Sequence, residues 1–280
     1  YISKHQAEYD LFVYIPYMFG PTYFGCKACP EKSVLIPCFH EEAYIYLNIF
    51  KDMFSKVRGM IFNALPEKQI AERVYDLSHV RTIVPGLGMN TGLKCDAERF
   101  RSKFDIEEPF ILYAGRKDVG KNIYTLIHYF EQYKKRNQND MKLVLIGGGQ
   151  VNIPKDIQDD VIDLGFVDVQ DKYDAYAAAL TLCQPSKHES FSYVIMESWL
   201  CRRPVLVHKD CDVTKNFAVE SNGGFYFENY FEFEAQVNYY IEHPDIALQM
   251  GENGRQYVLN NFDWPVVVKK YREFFDELRK

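Results

Sequence analysis

Three groups of residues near the middle of the chain have types and spacings that could do chemistry, and all three suit anions or hydroxyls. In the first, Gly115-Arg116 closes an apolar run and Lys121 stands five residues on, just before Asn122. Two cations at a strand end, joined by the amides of an incoming helix, are the ingredients of a diphosphate clamp. With Lys117 they form a basic island in a chain whose formal net charge is -6. A solvated Arg and Lys flanking a helix start would read the same way. The second group is Gly147-Gly148-Gly149, directly after the apolar run 142–146. Such glycines let a nucleotide approach the backbone closely, and they equally serve a tight strand-end turn. A dinucleotide fingerprint would need glycine at 152, where the chain has Asn152, so a nicotinamide site is not expected.

In the third group Pro185-Ser186 breaks a short strand, Glu189-Ser190-Phe191-Ser192 fills the loop, and Glu197 rides on the helix that follows. A loop carboxylate can accept hydrogen bonds from sugar hydroxyls, and a deeper one from a ribose diol. Spacing alone decides nothing, because Glu220/Glu228 and Glu234/Glu242 repeat the same separation. A helix-capping Glu followed by a solvated Glu is the plain alternative. Context singles out the first pair, since the amides of Phe191 and Ser192 would face a ligand at the helix start. Elsewhere, His40 ends the run 33–37 and precedes Glu41-Glu42, which should open a helix over 41–55. It is either a structural cap or a catalytic imidazole facing the same site. His188, beside Glu189, could also reach the pocket.

These residues need a scaffold, and the pattern supplies one. Short β-rich runs at 11–15, 33–37, 59–62, 81–84, 110–114, 142–146, 161–163, 179–183 and 204–207 alternate with helical stretches. The helices fall near 41–55, 67–77, 122–135, 171–178, 193–200 and 212–221. Continuous apolar strands between helices signal parallel sheets covered on both faces. In such sheets ligands bind beyond the carboxyl ends of the strands, where all three groups fall.

Pro85-Gly86-Leu87-Gly88 and the polar stretch after it read as a linker. It separates a partial N-terminal Rossmann-like domain, 1–95, from a C-terminal one, 96–280. Only about four strands precede the linker, against the usual six, so the first domain reads as incomplete. The closing segment from about 231 is helical, broken at His243-Pro244. It restarts at Asp263-Trp264-Pro265 as a last helix expected to pack back on the first domain.

At 280 residues and 47% hydrophobic, the chain can fill two cores. Its acidic balance argues against a nucleic-acid binder. Seven scattered cysteines suggest reduced thiols in a cytoplasm, and the lone Cys26-Lys-Ala-Cys29 lacks the second ligand pair of a zinc site. No apolar run approaches the length of a membrane span.

With these motifs in order, the chain resembles the family 4 glycosyltransferases of the GT-B fold, in which two Rossmann-like domains face a cleft. The resemblance rests on Gly115-Arg116 with Lys121, the Gly147–Gly149 turn and Gly165-Phe166-Val167-Asp168 before Tyr173. It also draws on Pro185-Ser186 with Glu189 and Glu197, Pro204-Val205, and Phe262-Asp263-Trp264. It implies a retaining transfer of a sugar from a UDP- or GDP-sugar to a glycan or lipid-linked acceptor, with no cofactor and no required metal. Arg116 and Lys121 would then bind the diphosphate with Gly115, Gly147 and Gly148 beside them, Glu189 to Ser192 the sugar, and Glu197 the ribose. Backbone near Phe166 and Val167 would meet the base, and His40 would stand near the reacting sugar. Peripheral contact with the inner membrane face is a further expectation.

Two departures matter. Glu189-Ser190-Phe191-Ser192 stands where the family has Glu-Gly-Phe-Gly, which keeps small residues at both positions. The first strand and Gly-rich loop of the N-terminal domain have no counterpart here, which leaves two alternatives open. One is a non-catalytic nucleotide-sugar-binding domain. The other is a same-fold epimerase or phosphorylase.

Overall fold

The computed structural model describes residues 1–280. Their contacts separate two compact units. The first is Tyr1–Met89 with Glu189–Phe191 and Asn261–Lys280, and the second is Asn90–His188 with Ser192–Asn260.

In the first unit four three-residue strands, β1 (Phe12–Tyr14), β2 (Ser33–Leu35), β3 (Gly59–Ile61) and β4 (Arg81–Ile83), pair in parallel in that order. A short α1 (Ile2–His5) precedes β1, and between the strands lie α2 (Gly20–Ala28), α3 (Asn48–Phe54) and α4 (Leu65–Val74). Every residue of β2 and β3 is buried, as expected for strands covered on both faces. One face carries an aromatic core of Tyr17, Phe39, Phe50, Phe54, Phe62 and Tyr75. Some rings meet edge-on, Phe54 and Tyr75 at 4.5 Å and Tyr17 and Phe50 at 4.8 Å, and others stack, as Phe39 and Phe50 do on Phe54. The other face sets Val34, Ile36 and Ile61 against Phe274 and Leu278 of the closing helix.

One expectation for this unit is corrected. The stretch 41–55 is not one helix: a 3₁₀ turn at Ala43–Tyr46 is followed by extended Leu47, and only then does α3 begin. The Ile45 carbonyl accepts the Tyr75 hydroxyl, which takes it out of any helical ladder. The segment 85–88, read as the start of a linker, packs within the first unit. A Cβ at Gly86 or Gly88 would lie 2.3 or 2.2 Å from the Phe262 or Trp264 ring, and the Met89 amide donates to the Phe262 carbonyl at 2.7 Å.

The second unit begins with α5 (Ala97–Phe104), capped by Asp96, whose carboxylate accepts the Glu98 and Arg99 amides. The strands β5 (Phe110–Ala114), β6 (Lys142–Ile146), β7 (Val161–Gly165), β8 (Thr181–Gln184), β9 (Val205–His208) and β10 (Gly224–Phe227) form a fully parallel sheet. Their order is β10-β9-β8-β5-β6-β7. From β5 the chain winds out through β6 and β7, then returns to β8 on β5's other side. The β5/β8 pair is therefore the switch point of a doubly wound sheet, where such folds bind ligands.

The crossover helices are α6 (Ile123–Arg136), α7 (Val169–Ala178), α8 (Tyr193–Leu200) and α9 (Asp212–Ser221); after β10 come α10 (Tyr230–Glu242) and α11 (Pro244–Phe262), and the chain closes on α12 (Trp264–Leu278). In α6 the buried positions Ile123, Leu126, Ile127, Phe130 and Tyr133 recur at helical spacing, placing one stripe on the sheet. β10, α2 and α5 were not anticipated by the sequence reading.

Candidate active site

The carboxyl rim of the second sheet is held together mainly through its backbone. The Gly115 amide donates to Ile146 at 3.0 Å, the Lys117 amide to Gly148 at 2.7 Å, and the Gly147 amide to Gly165 at 2.7 Å. These bonds stitch the loops after β5, β6 and β7 into one surface. Glycine is required at its centre. Gly147 has φ +118°, and a Cβ there would stand 2.1 Å from the Gly115 carbonyl oxygen.

The basic island divides in two. Arg116 is 77% exposed at its side chain, and its Nε lies 3.6 Å from an Asp118 carboxylate oxygen. Lys117 instead turns inward: its side chain is only 1% exposed, and Nζ meets Asp163 at 2.5 Å. That carboxylate also accepts the Gly165 amide, so Lys117 locks β7 to β5 and does not belong to an anion clamp. Lys121 is half-buried at the end of a 3₁₀ turn whose N-cap, Asp118, accepts its amide at 3.0 Å. Asn122 then takes a left-handed conformation, φ +56°, and its side-chain amide donates to the Pro185 carbonyl at 2.9 Å. The start of α6 is thereby fastened to the end of β8, across the switch point.

Gly148 lies beneath the Phe166 ring, where a Cβ would come within 2.7 Å of it. Phe166 is 86% exposed, and Val167 beside it is half-buried. At the head of α8, Ser192 is buried and its hydroxyl neither caps the helix nor meets any other group. A buried hydroxyl without a partner is costly, and a bound ligand would relieve that cost.

Glu197 is buried one turn into α8. One carboxylate oxygen accepts Lys172 Nζ at 2.7 Å and the other accepts the Tyr176 hydroxyl at 2.9 Å. Each oxygen keeps a lone pair, so a ribose diol could be added without breaking either bond.

The remaining sequence-derived residues belong to the first unit. Glu189 and Ser190 are half-buried, and the buried Phe191 ring lies edge-on to Phe262 at 5.2 Å. His40 is half-buried, with Nε2 3.8 Å from Glu42. The loop that carries it hangs from a residue the sequence reading missed. Glu67, fully buried at the start of α4, accepts the Phe39 amide at 3.0 Å and the Asn63 amide at 2.6 Å. One carboxyl group thus ties the end of β2 to the end of β3. Burial pushes its pKa up to about 8, against the pull of the backbone amides. An acid in the first turn of a helix was the visible signal, though its reach to two strand ends was not.

Rim, glycine turn and switch point belong to an α/β fold of the GT-B kind, and solved structures share that fold. Sucrose-phosphate synthase from Thermosynechococcus elongatus superposes with a TM-score of 0.79 at 18% identity, covering 99% of this chain and 75% of that one. HepE from Anabaena in complex with UDP-glucose gives 0.76 at 18%, covering 99% and 80%. In sequence, residues 95–257 match the family described as glycosyl transferases group 1. The chain belongs to that family. It is also 23% identical over 204 residues to the trehalose synthase of Rubrobacter xylanophilus, across 65% of this chain and 47% of that enzyme. The chain thus spans about half the length of that curated relative. None of the helices is long and apolar enough to cross a membrane.

Proposed function

We propose that the protein is a retaining, family 4 type glycosyltransferase that uses a UDP- or GDP-sugar and delivers the sugar to a glycan or lipid-linked acceptor. The observation that carries this reading is the β5/β8 switch point, where three features share the carboxyl rim. They are the exposed Arg116 at the end of β5, the glycine turn at the end of β6, and the partnerless buried hydroxyl of Ser192 at the head of α8. The chain's similarity to HepE, whose structure holds UDP-glucose, supports the donor class.

In this reading Arg116 and Lys121, with the first amides of α6, take up the diphosphate. As the bond between the anomeric carbon and the phosphate oxygen breaks, its electron pair passes to the diphosphate. Two preorganised cations stabilise that charge in place of a divalent metal. The acceptor oxygen bonds to the anomeric carbon on the face the phosphate leaves, and its proton passes to a phosphate oxygen. Glu189, Ser190, Phe191 and Ser192 hold the transferred sugar, Glu197 the ribose, and Phe166 with Val167 the base. His40 stands by the reacting sugar. The reaction belongs on the cytoplasmic side, with peripheral contact at the inner membrane face where a lipid-linked acceptor would lie.

Thermal-shift screening of UDP-, GDP- and ADP-sugars tests the donor. Binding to the folded state raises Tm by linkage, so one base series should raise it in a dose-dependent way. No shift with any of them overturns the reading. With a stabilising donor, NMR of the product should show the donor's anomeric configuration. Donor binding without transfer or donor hydrolysis would make the chain a binding domain, and a free epimerised nucleotide sugar would make it an epimerase.

A further inference from the structure

Far along the sequence from the glycine turn, the second unit has a pocket of about 570 Å³ lined by two cysteines and four cations. The cysteines are Cys95 and Cys201, and the cations Lys94, Arg202, Arg203 and Arg255. Cys95 is half-buried at the pocket wall, immediately before the Asp96 cap of α5. Cys201 is buried at the C-cap of α8, its amide bonded to the Glu197 carbonyl at 3.1 Å. The two thiols line the same pocket and lie close enough for each to influence the ionisation of the other.

We propose that Cys95 and Cys201 are a redox-active dithiol for which hydroperoxides are the oxidant, Cys95 being the attacking sulfur and Cys201 the resolving one. The division of labour follows from position. Both cysteines line the pocket, but Cys95 is half-buried and the more accessible of the two, whereas Cys201 is buried. Charge points the same way. Arg202 and Arg203 lie close enough to favour a thiolate at Cys95, while Asp174 opposes them. Glu252 answers Arg202 at 2.9 Å and Arg255 at 3.3 Å, leaving Lys94 and Arg203 to keep the pocket positive. The neighbouring Cys201 thiol, then the arginines, bring the Cys95 pKa down to about 7, and the same proximity drives Cys201 up. The other half-buried cysteine, Cys38, has none of this, and burial pushes it up to about 11.

The steps balance. The Cys95 thiolate attacks one peroxide oxygen, the O–O bond breaks, and hydroxide leaves beside the guanidinium groups, giving a sulfenic acid. The Cys201 sulfur then attacks the Cys95 sulfur, a disulfide forms, and the sulfenic oxygen departs as water with the thiol's proton. Overall two thiols and one hydrogen peroxide become one disulfide and two waters. The bridge would tether the end of α8 to the segment entering α5, and reduction would release it.

The test uses the full reduced chain at pH 7.5 with equimolar hydrogen peroxide, alkylation, and non-reducing peptide mass spectrometry. The expected product is one linked peptide pair, Cys95 with Cys201, that disappears on treatment with dithiothreitol. With Cys201→Ala, dimedone should trap a sulfenic acid at Cys95, and with Cys95→Ala, Cys201 should remain a thiol. Without any variant, iodoacetamide should modify Cys95 about ten-fold or more faster than Cys38. Equal alkylation rates at Cys95 and Cys38, together with no Cys95–Cys201 peptide after peroxide, would overturn the proposal.

Discussion

The two sheets fix their carboxyl ends in opposite ways. In the six-stranded unit, backbone holds backbone: three amide–carbonyl bonds join the loops after β5, β6 and β7, and glycines make room for them. In the four-stranded unit one buried side chain, Glu67, spans the ends of β2 and β3, and its loops are packed by aromatic rings. A backbone-held rim leaves side chains such as Arg116 and Phe166 free to face a ligand. A side-chain-held rim depends on the state of a single carboxyl group. The first should fail when an atom is added, the second when one is removed or charged.

The sharpest break is therefore Gly147→Ala. Its Cβ would meet the Gly115 carbonyl oxygen at 2.1 Å with φ at +118°, so backbone must move. We expect a loss of about 2–4 kcal/mol in urea unfolding. A variant as stable as the parent would show that the stitched rim is not what holds these loops.

Glu67→Ala comes next, leaving two buried amides without acceptors, at about 1–3 kcal/mol for each group left unsatisfied. This residue also gives the unit a pH signature. Its folded pKa, about 8, lies above its unfolded value near 4.5. The unfolded chain therefore releases the proton first as pH rises. The contribution is fully present below about pH 4.5, declines upward, and is gone above about pH 8. Glu67→Gln should flatten that slope in pH-dependent unfolding; an unchanged slope would assign it elsewhere.

Smaller and more selective, Glu189→Ala should weaken the nucleotide sugar by about 1–2 kcal/mol while leaving the free nucleotide diphosphate nearly untouched. Equal losses for both ligands in calorimetry would remove its sugar-holding role.

The same contrast explains what the sequence revealed. β5, β6, α8 and α9 were legible to the residue because long apolar runs and strong helix formers are bounded by Gly, Pro or charge. The parallel two-sheet class followed from their alternation, and so did the place of Arg116 and the glycine turn at strand ends. β10 was hidden by its opening glycine, a weak strand former that must pass within contact of Val205. α5 was hidden by its polarity: Phe100 is its only buried residue, and its surest mark was the Asp96 cap. Side-chain partnerships were least legible. Lys117 stands between two rim residues in sequence yet turns inward to Asp163, and nothing in its local pattern distinguishes it from Arg116.

The most direct test of the account is calorimetric titration of UDP and GDP into the wild-type chain and into Arg116→Ala. Arg116 is largely exposed, so the variant should fold with unchanged Tm. The nucleotide that binds the wild type should lose about 1.5–3 kcal/mol of affinity in the variant, the scale of charge-assisted hydrogen bonds to a diphosphate. Equal affinities for that nucleotide in the two proteins would contradict it.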